Sequence, residues 1–157
     1  MSARTLHDEI QDVRTQYPQP GSATLPALRL AQERYGWLSP DAFREVAEAL
    51  EETPAYCMAV ASFYDMFHLQ PVGRHLVEVC TNISCALVGA QQVLEELEEE
   101  LGARAGETTE DGFATLRTVE CLGGCGWATI VAVDHHYRMN VKPGDACGIV
   151  EELRAGE

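Results

Sequence analysis

The sequence predicts a mixed fold of α+β or α/β type, with a small helical bundle first and a layer of strands and helices after it. Three observations predict it. Apolar residues recur at helical spacing through the first seventy or so residues. Short strand-like runs appear only beyond Pro71-Val72-Gly73. In that second part they alternate with two helical stretches. The division expected is a helical region over 1–72 and a second domain over 73–157.

The elements follow in order. Leu6, Ile10, Val13 and Tyr17 form an amphipathic stripe, ended by Tyr17-Pro-Gln-Pro-Gly21. A second helix spans about Ala23–Tyr35, with Leu25, Leu28 and Ala31 on one face and Gly36 as its stop. Ser39-Pro40-Asp41 opens a third, the serine as N-cap and the proline in the first helical position, running to about Glu52. Thr53-Pro54 opens a fourth, to Asp65 or Phe67. His75–Cys80 reads as a strand through Leu76, Val77 and Val79. A helix capped by Ser84 then runs from Cys85 to Leu101, with Leu87, Ala90, Leu94, Leu97 and Leu101 at period 3.6. The stretch 102–112 is a polar loop, and Thr115–Glu120 is the next strand. Thr129–Val133 and Tyr137–Val141 form a hairpin around Asp134–His136, and Pro143 starts a last helix to about Arg154.

Apolar residues make up 46% of the chain, enough for a packed core and too many for disorder. No apolar run approaches the ~18 residues of a membrane-spanning helix. Met1-Ser2-Ala3 leads straight into a helical pattern, so the expectation is a soluble cytoplasmic protein whose route to a membrane is a membrane-bound partner. The net charge of −14 repels phosphate backbones and argues against nucleic acid. Residues 75–157 hold 15 of the 25 acidic side chains, so a redox group there would take up electrons against a negative field and have a low potential.

That acidic half also holds two tight cysteine pairs, Cys80 and Cys85 in CTNISC and Cys121 and Cys125 in CLGGC. A [2Fe–2S] rhomb has two irons, and each needs two protein ligands to complete a tetrahedron of sulfur. One local pair per iron meets that demand. Gly123 and Gly124 allow close backbone approach, and amides in such a loop can point at cluster sulfurs. If the strands ending near Cys80 and Cys121 are parallel neighbours, both pairs emerge at one edge of the sheet. Two other readings stay open: structural zinc, whose knuckles favour shorter gaps than C-x4-C, and four unligated cysteines packed as small hydrophobes. A disulfide exchanger would need C-x-x-C, which the chain lacks.

The remaining candidates read as structure. Cys57 and Cys147 are expected to be buried, inert thiols. His135-His136 is expected to be a solvated turn, and His68 and His75 have no companions at ligand spacing. Trp127 is expected to bury itself as a lid over the cysteine loop. Phe63, Tyr64, Met66 and Phe67 are expected to be mostly core, with part facing a partner. No G-x-G-x-x-G follows a strand and no P-loop occurs, so no nucleotide site and no catalytic residue is assigned.

VCTNISC, an acidic amphipathic helix, GETTEDG and VECLGGCG, in that order, resemble the 24 kDa-type thioredoxin-like [2Fe–2S] subunit of respiratory NADH:quinone oxidoreductase. LPALRLAQERYGWLSPDAFREVAEAL and VASFYDMFHLQPVG are similar to its helical N-terminal region, so the resemblance covers about residues 5–155. The same family supplies small subunits of NAD-dependent formate dehydrogenases and NAD-reducing hydrogenases. The resemblance implies a helical bundle followed by a thioredoxin-like [2Fe–2S] ferredoxin domain, with Cys80, Cys85, Cys121 and Cys125 as cluster ligands. It implies an oxidoreductase subunit without a complete active site, relaying single electrons within a multi-subunit complex. Its partner would be a flavoprotein subunit carrying FMN, an NAD(H) site and a [4Fe–4S] cluster, in a peripheral arm on the cytoplasmic face of the membrane. Without that partner the chain would dimerise through the thioredoxin-like domain. Where the family usually reads GNAP after the last ligand, this chain has Gly126-Trp127-Ala128-Thr129, and His135-His136 stands where acidic residues are usual.

Overall fold

The structure, a computed structural model, describes residues 4–156 and divides into two compact units, Met1–Pro71 and Val72–Glu157. The Met1-Ser2-Ala3 lead-in lies outside the described residues.

The first unit is built from α1 (Leu6–Arg14), α2 (Thr24–Tyr35), α3 (Pro40–Leu50) and α4 (Pro54–Phe63). Each boundary has a chemical cause. Thr5 and Asp8 close a reciprocal capping box on α1. The Ser39 and Thr53 hydroxyls accept from the Ala42 and Tyr56 amides, and each is followed by proline in the first turn. Losing such a cap costs about 1 kcal/mol. Gly36, at φ 79°, ends α2. Leu6, Ile10, Leu28, Leu38, Val46 and Leu50 are buried together with Cys57. Both α1 and α4 are shorter than the apolar stripes suggest. Leu6 and Ile10 are buried on α1 while Tyr17 is exposed, and Tyr64, just after α4, is already in extended backbone.

The second unit centres on a four-stranded sheet in the order β2-β1-β3-β4. Its strands are β1 (His75–Cys80), β2 (Ala114–Val119), β3 (Val131–Val133) and β4 (His136–Arg138). β1 and β2 are parallel, with Cys80 level with Val119; β3 runs antiparallel to β1, and β4 to β3. Val77, Val79, Leu116, Val131 and Val133 pack against α6 (Ala90–Leu101) and α7 (Ala146–Ala155) in one core. At the β3–β4 turn Asp134 and His135 both have positive φ, in a two-residue hairpin loop. Asp134 also accepts from the Leu76 amide at 2.8 Å and pairs with His75 at 2.8 Å, tying the turn to β1.

The helix expected over Cys85–Leu101 is two helices. α5 (Ile83–Leu87) precedes α6, and Gly89 at φ 104° separates them. A Cβ at Gly89 would lie 3.2 Å from Pro143, so the break is also a close approach. Leu87 therefore leaves the apolar face and is 80% exposed. Asn82, not Ser84, occupies the N-cap position, and it makes no capping bond. The 102–112 loop folds back along β2 through Leu116–Glu107 and Thr109–Ala114 backbone bonds. Among the described residues no helix is long and apolar enough to cross a membrane.

Candidate metal centre

Cys80 is the last residue of β1, 2% exposed, and its amide donates to the Ile130 carbonyl at 3.1 Å. Cys85 lies in α5, 1% exposed. The bend at Gly89 releases α5 from the line of α6, so that Cys85 packs with Cys80, Ala90 and Ile130 while α6 lies on the sheet. Leu122 and Ala128, from the second cysteine loop, pack on the same cluster.

The second pair follows β2. Cys121 comes two residues after the strand, and Cys125 begins a single 3-10 turn, Cys125–Trp127. Both are exposed. Gly123, at φ 74°, turns the loop, and its amide donates to Cys121 Sγ at 3.3 Å. Gly124 is required for a different reason: a Cβ there would lie 2.8 Å from Ile130 Cγ1. Ile130 thus holds both pairs, by its carbonyl and side chain.

Burial pushes the Cys85 thiol above its ordinary value. A hydrogen bond to the Ile130 backbone pulls the other way, and the neighbouring Cys80 and Cys125 add to the rise. Cys85 thus feels a thiol from each pair, and Cys121 stands on the same short loop as Cys125. Among the described residues no three His, Cys, Asp or Glu side chains converge on one point as ligands of a single ion. A two-iron rhomb asks instead for two separate pairs of soft thiolates. Two thiols in an apolar pocket, two on a glycine loop beside it and an amide directed at sulfur fit that demand.

Several expectations are corrected. Trp127 is no buried lid: it is 58% exposed, because the 3-10 turn points Ala128 inward and the indole outward. Cys147 is exposed on α7, its thiol 3.5 Å from Glu151, which raises its pKa chiefly through that hydrogen bond. Cys57 is buried, and burial raises its thiol. Of the aromatic patch Phe67 is core and Tyr64 packs half-buried against it; Phe63 is 81% exposed and Met66 half-exposed. His135 and His136 are exposed, as a solvated turn requires. Sequence reasoning misses Ile130. Gly124 signals a close approach without naming the neighbour approached.

A family profile described as thioredoxin-like [2Fe–2S] ferredoxin matches residues 10–154. The chain is 40% identical over 153 residues to an NADH-quinone oxidoreductase subunit of Rhizobium meliloti, covering 98% of this chain and 91% of that one. It is 36% identical to NADH-quinone oxidoreductase subunit 2 of Thermus thermophilus, covering 96% and 84%. With an NADH-quinone oxidoreductase subunit of Mycobacterium tuberculosis the identity is 39%, and the match spans 60% of that longer protein. A crystal structure of an air-oxidized NAD+-reducing [NiFe]-hydrogenase shares the fold, with TM-score 0.75 at 20% identity over 85% of this chain and 23% of that one. The cysteine spacing, the helix-then-sheet order and these relatives agree: the chain belongs to the thioredoxin-like [2Fe–2S] ferredoxin family.

Proposed function

We propose that this chain is the [2Fe–2S] electron-transfer subunit of an NADH:quinone oxidoreductase, with Cys80, Cys85, Cys121 and Cys125 as ligands. One observation supports the reading: the parallel β1–β2 register puts Cys80 level with Val119, so the two pairs, with 35 residues between them in sequence, follow strands that end at the same side of the sheet. Cys80 and Cys85 would serve one iron from the apolar pocket, and Cys121 and Cys125 the other from the loop. When bound, the cluster supplies one-electron redox chemistry. The chain's residues supply ligation, exclusion of water by Ile130, Ala90 and Leu122, and amide donors such as Gly123.

The segments that carry the cysteines also expose Ile83, Leu87, Val88 and Trp127. Large apolar side chains flanking a metal centre mark a docking face. The partner that fits is an NADH-oxidising flavoprotein subunit whose FMN exchanges single electrons with this site, with NAD(H) and a [4Fe–4S] cluster held there. The equivalent subunit of a formate dehydrogenase or hydrogenase would use the same fold. Identities of 36–40% to NADH-quinone oxidoreductase subunits favour the first assignment.

The test is anaerobic purification with iron and sulfide assays and EPR before and after dithionite. The expected result is about two irons per chain, a silent oxidised state and an S = ½ signal on reduction. Zinc, or no metal in a folded chain, overturns the reading.

A further inference from the structure

Among the described residues Glu78 alone is both charged and buried, at 5% exposure. Its Oε1 accepts from Arg117 Nε at 2.8 Å and also from Arg117 Nη2. The two residues stand opposite each other in the parallel β1–β2 register, with Ala132 of β3 on the other side of Glu78. Side chains alternate between the two faces of a sheet. Val77 and Val79 enter the core with α6 and α7, so Glu78 and Cys80 share the opposite face. Cys80 packs there with Cys85 and Ile130. The ion pair thus forms the row next to the one that carries Cys80, two strand steps or about 6.6 Å along β1. Stability does not call for a charge at this place. An apolar pair of similar volume serves a fold as well or better, because two buried ions forfeit their hydration.

We propose that the Glu78 carboxylate, fixed on the cysteine face of the sheet by Arg117, opposes electron uptake at the metal centre and lowers its reduction potential. The proposal rests on the [2Fe–2S] reading above. Reduction adds one electron, supplied by the reduced flavin of the proposed partner or by dithionite in the test, with no bond made or broken. A negative charge nearby raises the energy of the more negative, reduced state. The Arg117 charge acts in the opposite sense but from a more distant anchor. It reaches Glu78 from the neighbouring strand, four residues before Cys121, whereas Glu78 lies two residues from Cys80 on one strand. Burial also sets Glu78 apart from the exposed carboxylates of α6 such as Glu99, whose field salt screens.

The test compares full-length wild type, Glu78→Gln, the double variant Glu78→Met with Arg117→Met, and Glu99→Gln as an exposed control. Redox titration followed by EPR, at low and high salt, gives the potential. Glu78→Gln is expected to raise the one-electron reduction constant roughly tenfold, about 59 mV, at both salt concentrations. The double variant should raise it by less, since both charges are gone, and Glu99→Gln should leave it within about twofold. Urea unfolding of the metal-free chains reads the structural role separately: Glu78→Gln leaves Arg117 without its counter-ion and loses stability, and the double variant recovers it. A loaded Glu78→Gln whose stability falls while its potential stays unchanged or drops overturns the proposal and leaves the cluster reading intact. If Glu78→Gln does not load, an unchanged or lowered potential in the double variant overturns it. Failure of both to load assigns the pair to folding and overturns it as well. Wild-type chain that binds no iron overturns the cluster reading itself.

Discussion

The two cysteine pairs are built on opposite principles. Cys80 and Cys85 come from regular elements, the end of β1 and the middle of α5, and both belong to an apolar cluster. Cys121 and Cys125 stand on a glycine loop, and both are exposed. The proposed coordination would treat four thiolates alike, whereas folding does not. The first pair is packed by the side chains around it. The second is held in place by two glycines, Gly123 for its turn and Gly124 for its contact with Ile130.

The sharpest way to break that contrast is to replace one cysteine of each pair by serine. All four single variants should lose most of their iron, since each iron needs both members of a pair. The metal-free chains should differ. Cys80→Ser and Cys85→Ser bury a hydroxyl in an apolar pocket and are expected to lower stability by about 1–3 kcal/mol. Cys121→Ser and Cys125→Ser should stay within about 0.5 kcal/mol of wild type. Iron content and urea midpoints measure both. Equal stability across the four metal-free variants defeats the contrast.

Next in size is the loop's seat on the core. Gly124→Ala forces a Cβ to within 2.8 Å of Ile130 Cγ1 and should cost about 1–3 kcal/mol, with lower iron loading. Because Ile130 also touches the first pair, the cost is shared. In an Ile130→Ala background the same substitution should cost less, and a double-mutant cycle reads the difference. Additivity within about 0.5 kcal/mol means the two pairs are not joined through Ile130.

The same contrast separates what is legible in the sequence from what is not. The thioredoxin-like class is what the resemblance of the cysteine motifs implies, whereas the order of helices first and a strand-helix layer after, the caps at Ser39 and Thr53 and the strand ending at Cys80 follow from local chemistry, which period and capping rules read directly. The break at Gly89 does not. A lone glycine in a helical pattern is ordinary, and the reason for this one is Pro143, 54 residues away. The positive φ at both Asp134 and His135 escapes for a like reason, since the turn is stabilised by contacts of Asp134 to β1 and not by glycine. Trp127 and Cys147 depart from expectation because apolar character alone does not fix burial: a 3-10 turn and a helix's outer face present them to solvent.

Thiol reactivity separates the pairs more gently. In metal-free chain carrying Cys147→Ser, iodoacetamide should modify Cys121 and Cys125 well before Cys80 and Cys85. The pH dependence has a definite sign. Burial favours the neutral Cys85 thiol, so its folded pKa lies above the ordinary 9.0. Its thiolate appears only at higher pH than an exposed thiol's, and its alkylation profile should be displaced upward. By linkage, the stability this thiol contributes is fully present below the unfolded value and is lost as pH rises through the folded one. Urea midpoints of the metal-free chain should therefore fall in the alkaline range. Peptide mapping that finds Cys85 labelled as early as Cys121 removes the distinction.

The smallest effect on the chain itself should come from its exposed apolar residues. Leu87 sits on the buried pair's helix and Trp127 beside the exposed pair, 80% and 58% accessible. Neither supports the core, so Leu87→Glu and Trp127→Glu should change stability by no more than about 0.5 kcal/mol and leave iron loading intact. Their expected effect is on association with the proposed flavoprotein partner, where a carboxylate in an apolar contact would have to be desolvated without a counter-ion. If docking spans the sheet edge, both substitutions should weaken binding, by about tenfold or more, equivalent to at least ~1.4 kcal/mol. If only Trp127→Glu does so, the partner meets the loop alone. The packed pair would then serve as the foundation of the centre and the glycine loop as its face.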